Sequence, residues 1–288
     1  MEKRGIDISR YQGKPDFGKL KSEVDFVILQ AGFGRYSSQK DAEFERSYSE
    51  CKKNGIPVGV YWYSYAKSAA EALAEAKACM DVIAGKQFEY PIYYDLEEGL
   101  GALGRSLVST IATTFCNALE QSGYFSGIYI SRSPAQSYLT PEVCDKYALW
   151  LAEYGAALNW KGSVGMWQNS STGHFSGING NVDTNICYVD YPKLIKQGGY
   201  NGYPKEKPTE YLDKPEDKWY FFGMEKTEDN KRGLYGVKQR MKAKGATYLD
   251  DTGGFGAGTE KAVNSLLKEW GYIETGIIGK SFVDKIMK

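Results

Sequence analysis

The chain of 288 residues contains a single histidine, His174, within the polar stretch "STGHFSG". One imidazole cannot build a multi-histidine metal site, and the sequence offers it no fixed partner for a Ser/His/Asp triad. Its plain reading is a satisfied surface residue. Cysteine is scarce and unpaired: Cys51, Cys79, Cys116, Cys144 and Cys187 form no C-x-x-C motif, which excludes a zinc knuckle or a dithiol redox site and leaves reduced, buried thiols. No apolar run reaches the roughly 18 residues a bilayer span needs. The first residues, "MEKRGIDISRY", also lack an apolar signal core, so the chain reads as made in the cytoplasm without a signal peptide and without membrane insertion. A surplus of charge is missing as well. Lys plus Arg and Asp plus Glu both number 36, so no global field draws the chain to nucleic acid. A nucleotide loop is absent too, because Glu274 precedes "TGIIGKS" where the first glycine of a phosphate loop is required.

What is present is a rhythm of short β-branched and aromatic runs between residues 5 and 191. "GIDIS", "DFVILQA", "IPVGVYWYSY", "PIYYDLE", "GIYIS", "YALWLAEY", "SVGMWQN" and "GNVDTN" read as eight strands. Helical patterns at 41–54, 68–85 and 106–123 separate the early ones, whereas after residue 145 the spacing leaves little room for crossover helices. The pattern predicts an α/β fold, a closed barrel whose late helices are reduced or missing. Residues 197–217 combine Gly, Pro and dense charge without a period and read as a linker. The expected organisation is therefore a barrel at 1–196, that linker, and a small mainly helical unit at 218–288 with helices in "LYGVKQRMKAKG" and "TEKAVNSLLKEWG". The basic run "KQRMKAK" is expected to be the solvated face of its helix.

Strand alternation sorts the acids. In "PIYYDLE", Ile92, Tyr94 and Leu96 share the face that packs under helices, and Tyr93, Asp95 and Glu97 share the lumen face. Likewise Asp7 points opposite to Ile6 and Ile8, and Asp183 opposite to Val182. Three strands thus aim carboxylates into one lumen at the edge where barrels carry their chemistry. Asp95 and Glu97, with Cα atoms roughly 6.5 Å apart on an extended strand, form the pair that acetal hydrolysis requires. One acid protonates the leaving oxygen while another stabilises positive charge at the sugar carbon. Crowding Asp7, Asp95, Glu97 and Asp183 should raise at least one pKa, and the longer reach of Glu97 suits it to donate the proton. An acid at a strand end also serves as a loop residue or helix N-cap, the role expected of Glu98. The 23 tyrosines and 6 tryptophans are expected mostly in the core.

Residues 5 to about 191 resemble the glycoside hydrolase family 25 muramidases, lysozymes that cut the MurNAc-β-1,4-GlcNAc bond of peptidoglycan. The resemblance runs through "GIDISRYQG", "FVILQAGFG" with Asp41 following, "GIPVGVYWYSYA", the "DLE" of strand four, "GYFSGIYIS", "LWLAEY", "GMWQNS" and "GINGNVDTN". It implies an irregular (β/α)5(β)3 barrel. Glu97 would be the general acid/base, and Asp95 would stabilise charge or orient the substrate's acetamido group, with Asp7 and Asp183 lining the groove. Tyr63 and Gln168 would touch substrate, and Tyr61 or Trp150 would stack on sugars or belong to the core. Neither a metal nor an organic cofactor is implied. Residues 233–288 are similar to small helical peptidoglycan-binding domains, through "GVKQRMKAKGA", "GGFGAGTEKAV" and "TGIIGKSFVDKI". Together these imply an endolysin-like enzyme whose partner is the bacterial wall, on which it acts after release. Two alternatives stay open: a chitinase-like hydrolase, since other barrels end strand four in D-x-E, and a non-catalytic glycan-binding protein. Nothing in the sequence sets the oligomeric state.

Overall fold

The computed structural model describes residues 2–204, 233–250 and 256–286. Within the first stretch eight strands close into a barrel in chain order. They are β1 (Lys3–Ile8), β2 (Phe26–Phe33), β3 (Val58–Tyr63), β4 (Ile92–Asp95), β5 (Ser126–Ser131), β6 (Ala148–Ala152), β7 (Met166–Gly173) and β8 (Val182–Cys187). Short α1 (Phe17–Leu20) and the longer α2 (Phe44–Asn54), α3 (Ala69–Ile83) and α4 (Leu100–Gln121) lie between the first five strands. Only the brief α5 (Arg132–Tyr138) and α6 (Pro141–Lys146) separate β5 from β6, and α7 (Tyr191–Gly198) follows β8. The expected loss of the late helices is what the structure shows.

Neighbouring strands from β1 to β7 pair in parallel, but β8 runs antiparallel to both β7 and β1. Only residues 174–181 lie between β7 and β8, too few for the dozen or more that a crossover to a parallel strand takes. A short return reverses the chain instead.

The alternation read from the sequence sorts the interior into two cores. Ile6, Ile8, Ile92, Tyr94, Leu96 and Val182 pack in the shell beneath the helices, where Tyr94 stacks on Phe115 of α4 at 3.8 Å between ring centroids. Phe26, Ile28, Tyr93, Tyr129, Trp150 and Met166 fill the lumen. Space for these rings comes from lumen-facing glycines on alternate strands. A Cβ on Gly5 would lie 2.5 Å from the Phe26 ring, on Gly59 2.6 Å from Tyr90, and on Gly127 2.6 Å from Tyr93. The lumen is therefore a packed floor, and only its upper edge is open to chemistry.

α4 begins at Leu100, earlier than its sequence pattern starts, and its backbone breaks at Gly104 (φ 74°) before the regular helix runs on. The barrel also continues past residue 196. Asn201, fully buried in a left-handed conformation (φ 54°), donates from Nδ2 to the carbonyls of Phe88 (3.2 Å) and Tyr90 (2.9 Å), and its Oδ1 accepts from the Phe125 N–H at 2.7 Å. Residues 197–204, expected as linker, thus close the base of the barrel, and the chain divides after Pro204. The remainder of the expected linker, 205–217, and residues 218–232 lie outside the described residues, as do 251–255 of the Gly-rich loop.

The second unit contains α8 (Gly233–Ala243), α9 (Ala257–Glu269) and α10 (Lys280–Ile286), the last not foreseen from the sequence. Val237, Met241, Val263, Leu266, Ile278 and Phe282 are among the residues of its core. The basic run departs from its expected role at one position: the Lys238 side chain is fully buried and pairs with Asp250 at 2.7 Å. Among the described residues no helix is long and apolar enough to cross a membrane.

Candidate active site

Asp7, Asp95, Glu97 and Asp183 reach the barrel mouth by different routes. Asp7 sits one residue inside the carboxyl end of β1, Asp95 ends β4, and Glu97 follows beyond the shell-facing Leu96. Asp183 is the second residue of β8. It belongs to the mouth because β8 is reversed, which sets its amino end beside the carboxyl end of β1 and makes Asp183 the register partner of Asp7. Residues opposed in this way have Cα atoms roughly 4.5–5.5 Å apart, with side chains on one face.

The four acids are held very differently. Asp7 is buried, and its Oδ2 accepts from Asn185 Nδ2 at 2.7 Å and Gln168 Nε2 at 3.1 Å. Burial and then the charge of Asp183 push its pKa up, the two amide donors pull it back, and the balance is about 7. Asp95 is 5% exposed, and its Oδ1 has no hydrogen-bond partner among the described residues. Burial, with Glu97 and Asp7 adding repulsion, holds this carboxyl well above the usual range. Glu97 is the most open of the four to solvent. Its pKa is raised by desolvation at the mouth and by Asp183 and Glu98, against the pull of the Tyr129 hydroxyl, and water screens these effects. Asp183, half-buried, is raised by desolvation.

The aromatic candidates divide. Tyr61 is half-buried, with its ring 6.2 Å from that of Trp150, and after burial the acids Asp7, Asp95, Asp41 and Asp183 raise its pKa. Tyr63, also half-buried, donates from its hydroxyl to Glu98 Oε1 at 3.3 Å. Glu98 is thus a loop residue, one of the two roles expected of it, and not the cap, since Gly99 occupies the N-cap of α4. Trp150 corrects the sugar-stacking expectation. It is 1% exposed, with Tyr129 and Tyr93 packed at 4.5 and 5.1 Å, so neither ring face can meet a sugar. Its Nε1 instead donates to Asn185 Oδ1 at 2.8 Å, orienting the amide that holds Asp7. Gln168 is buried too, which argues against direct substrate contact. Its Oε1 accepts from the Tyr129 (2.9 Å) and Tyr154 (3.3 Å) hydroxyls while its Nε2 reaches Asp7.

Asn185, Tyr129 and Tyr154 are the positioning residues that sequence reasoning missed. Asn185 has the parity of Asp183 in "GNVDTN" and Tyr129 faces the lumen in "GIYIS", so strand alternation carried a signal for both. Tyr154 lies beyond β6, outside any alternation. His174 is exposed, as expected.

Chemically, the mouth combines a buried carboxyl that favours its proton, a second one tied to two amides, and an exposed glutamate two residues from the first. Such a set can deliver a proton to an ether oxygen and place negative charge beside a carbon that becomes cationic.

The pattern of the glycosyl hydrolases family 25 matches residues 6–178, more than half of the chain. Among solved structures, the modular autolysin LytC of Streptococcus pneumoniae is 31% identical with a TM-score of 0.59, covering 65% of this chain and 47% of its own. The chain thus spans about half the length of that autolysin. The CTP1L endolysin is 25% identical with a TM-score of 0.59, covering 68% of this chain and 70% of its own. The lysozyme of Streptomyces coelicolor, 22% identical with a TM-score of 0.57 over 67% of this chain and 94% of its own, shares the fold. The uncharacterized protein YegX of Escherichia coli O157:H7 is 26% identical over 197 residues, 63% of this chain and 68% of its own. A barrel with its last strand reversed and a sequence match running from β1 past the paired acids of β4 lead to one assignment: the chain belongs to the glycosyl hydrolases family 25.

Proposed function

We propose that this protein hydrolyses peptidoglycan at the β-1,4 bond between MurNAc and GlcNAc. The observation that carries the reading is Asp95, buried with one oxygen unpartnered, two residues before an exposed glutamate at the mouth of a family 25 barrel. LytC, which shares 31% identity, is described in complex with a synthetic peptidoglycan ligand, and CTP1L is an endolysin.

In this reading Glu97, whose hold on its proton is strengthened by desolvation and by Asp183 and Glu98, gives that proton to the leaving glycosidic oxygen. Positive charge then develops at the sugar carbon, and Asp95 stabilises it or orients the neighbouring acetamido group. Glu97, now a carboxylate, takes a proton from the water that completes hydrolysis. Asp7 and Asp183 share the groove, with Asn185 and Gln168 fixing Asp7, and Tyr61 and Tyr63 contact the sugars. We assign the helices of 233–286 to wall attachment, and the whole to lysis of the bacterial wall in the manner of a bacteriophage endolysin.

The test is turbidity loss of purified Gram-positive walls with wild-type and Glu97→Gln protein, followed by mass spectrometry of the released fragments. Lysis by wild type alone, with new reducing MurNAc ends, is expected. New GlcNAc ends or free peptides alone would overturn the bond assignment. Faster cleavage of chitin oligomers than of walls would make it a chitinase-like enzyme, and wall binding without turnover a glycan-binding protein.

A further inference from the structure

Beside the acidic mouth lies a second concavity, a cleft of about 510 Å³ lined by Arg35, Tyr65, Lys67, Glu71, Glu98 and, around the start of α4, Gly99, Ala102 and Leu103. That volume falls within the range of small-ligand sites. It opens one residue from Glu97, through Glu98 and the Tyr63 hydroxyl bound to it.

The cleft is built in advance. Tyr65 is 50% exposed, yet its ring leans on Tyr63 and Phe33, and its backbone N–H donates to the buried Glu75 at 2.9 Å. Glu75 is fixed in turn by the Tyr94 hydroxyl at 2.6 Å. Both oxygens of Glu71 are engaged within the wall of the cleft, Oε1 with Arg35 Nη1 at 3.1 Å and Oε2 with the Lys67 N–H at 2.7 Å. Of the two acids lining the cleft, Glu71 is therefore occupied, and Glu98 accepts from the Tyr63 hydroxyl through Oε1. Among the described residues the ammonium of Lys67 makes no ion pair or hydrogen bond, and the Arg35 guanidinium keeps further N–H groups beyond the one given to Glu71. Two cations beside a fixed tyrosine ring and the apolar Ala102 and Leu103 match a ligand with carboxylates on short aliphatic stems. A neutral sugar would leave the Lys67 ammonium without an ionic partner.

We propose that this cleft receives the stem peptide of peptidoglycan, its free carboxylates on Lys67 and Arg35 and its aliphatic parts over Tyr65 and Leu103. The inference rests on the proposed function, because the peptide branches from the muramoyl sugar at the bond to be cut. It makes the protein selective for glycan that still bears peptides.

Binding to soluble glycan strands, with and without peptides removed by an amidase, tests this on Glu97→Gln protein, which needs no turnover. With the native cleft, peptide-bearing strands should bind more tightly. Adding Lys67→Ala should weaken binding to peptide-bearing strands about tenfold more than to bare strands, the scale of one charge-assisted contact. Lys67→Glu should widen the gap and Lys67→Arg should restore the preference. The Lys67 backbone bond to Glu71 survives all three changes. Equal losses on both kinds of strand, or no loss, would overturn the inference alone. Failure of the parent protein to bind either kind would overturn the proposed function and the inference with it.

Discussion

Glu89 and Asp95 lie six positions apart in the chain and are both buried, yet they titrate in opposite directions. Glu89, at the base of the barrel, is raised by burial, but this is outweighed by Lys52, the Tyr203 hydroxyl and the Val58 N–H, which leave its pKa lowered. Asp95, at the mouth, has among the described residues no ion pair, an unpartnered oxygen and two like charges beside it. Burial alone therefore says little about an acid. A buried carboxylate supplied with donors is structural, and one left among other acids is a store of proton affinity that costs stability.

The sharpest break of that comparison exchanges each acid for its amide. Asp95→Asn should cut wall-lytic activity by roughly 10²–10⁴-fold while raising the melting temperature at neutral pH. The stabilisation has the opposite sign to the usual lost carboxylate, because the amide carries no charge to be desolvated or repelled by Glu97 and Asp7. Glu89→Gln should do the reverse, costing about 3 kcal/mol by stranding Lys52, with activity within a few-fold of wild type below the melting transition. Loss of activity in a folded Glu89→Gln protein would erase the distinction between base and mouth.

A similar cost is expected at the base from the chain end. A protein ending at residue 196 should be roughly 3 kcal/mol less stable to urea than one ending at 204, since the three side-chain hydrogen bonds of Asn201 go with the deleted segment. Equal stability would place the end of the barrel before residue 197.

Asp7→Asn sharpens the comparison through pH. The folded pKa of Asp7, about 7, lies above the ordinary 3.8, so its contribution is fully present below pH 3.8 and is lost as pH rises toward 7. Calorimetry should find Asp7→Asn more stable than wild type at pH 8 and the gain gone near pH 3. The smallest effect is a shift: Asp183→Asn removes a charge that raises Glu97 and Asp7, so the alkaline limb of the activity profile should move to lower pH. A limb that stays in place would remove Asp183 from the electrostatics of the site.

Much of this was legible in the chain because strand alternation is local. Asp7 opposes Ile6 whatever surrounds it, and the sorting of Tyr93 from Tyr94 into lumen and shell follows from period two alone. Trp150 was not legible, because its alternation says that it faces inward and nothing says how deep it sits under Tyr129. Lys238 was misread for a related reason: a helix pattern marks a face, and a partner such as Asp250 comes from outside the helix. Residues 197–204 carry linker composition, and their burial depends on carbonyls of Phe88 and Tyr90 more than a hundred positions away.

The sequence by itself determined the eight strands, the face each presents, and hence that Asp7, Asp95, Glu97 and Asp183 point into one lumen, since each rests on the backbone repeat within one strand. Only the tertiary structure decided that β8 runs backwards to bring Asp183 opposite Asp7, that Asn185 and Gln168 hold one acid while an oxygen of Asp95 is left without a donor among the described residues, and that the cleft of Arg35 and Lys67 includes Glu98, the neighbour of Glu97. Those are facts of neighbours distant in the chain, and the proton affinity of a buried carboxylate is set by such neighbours.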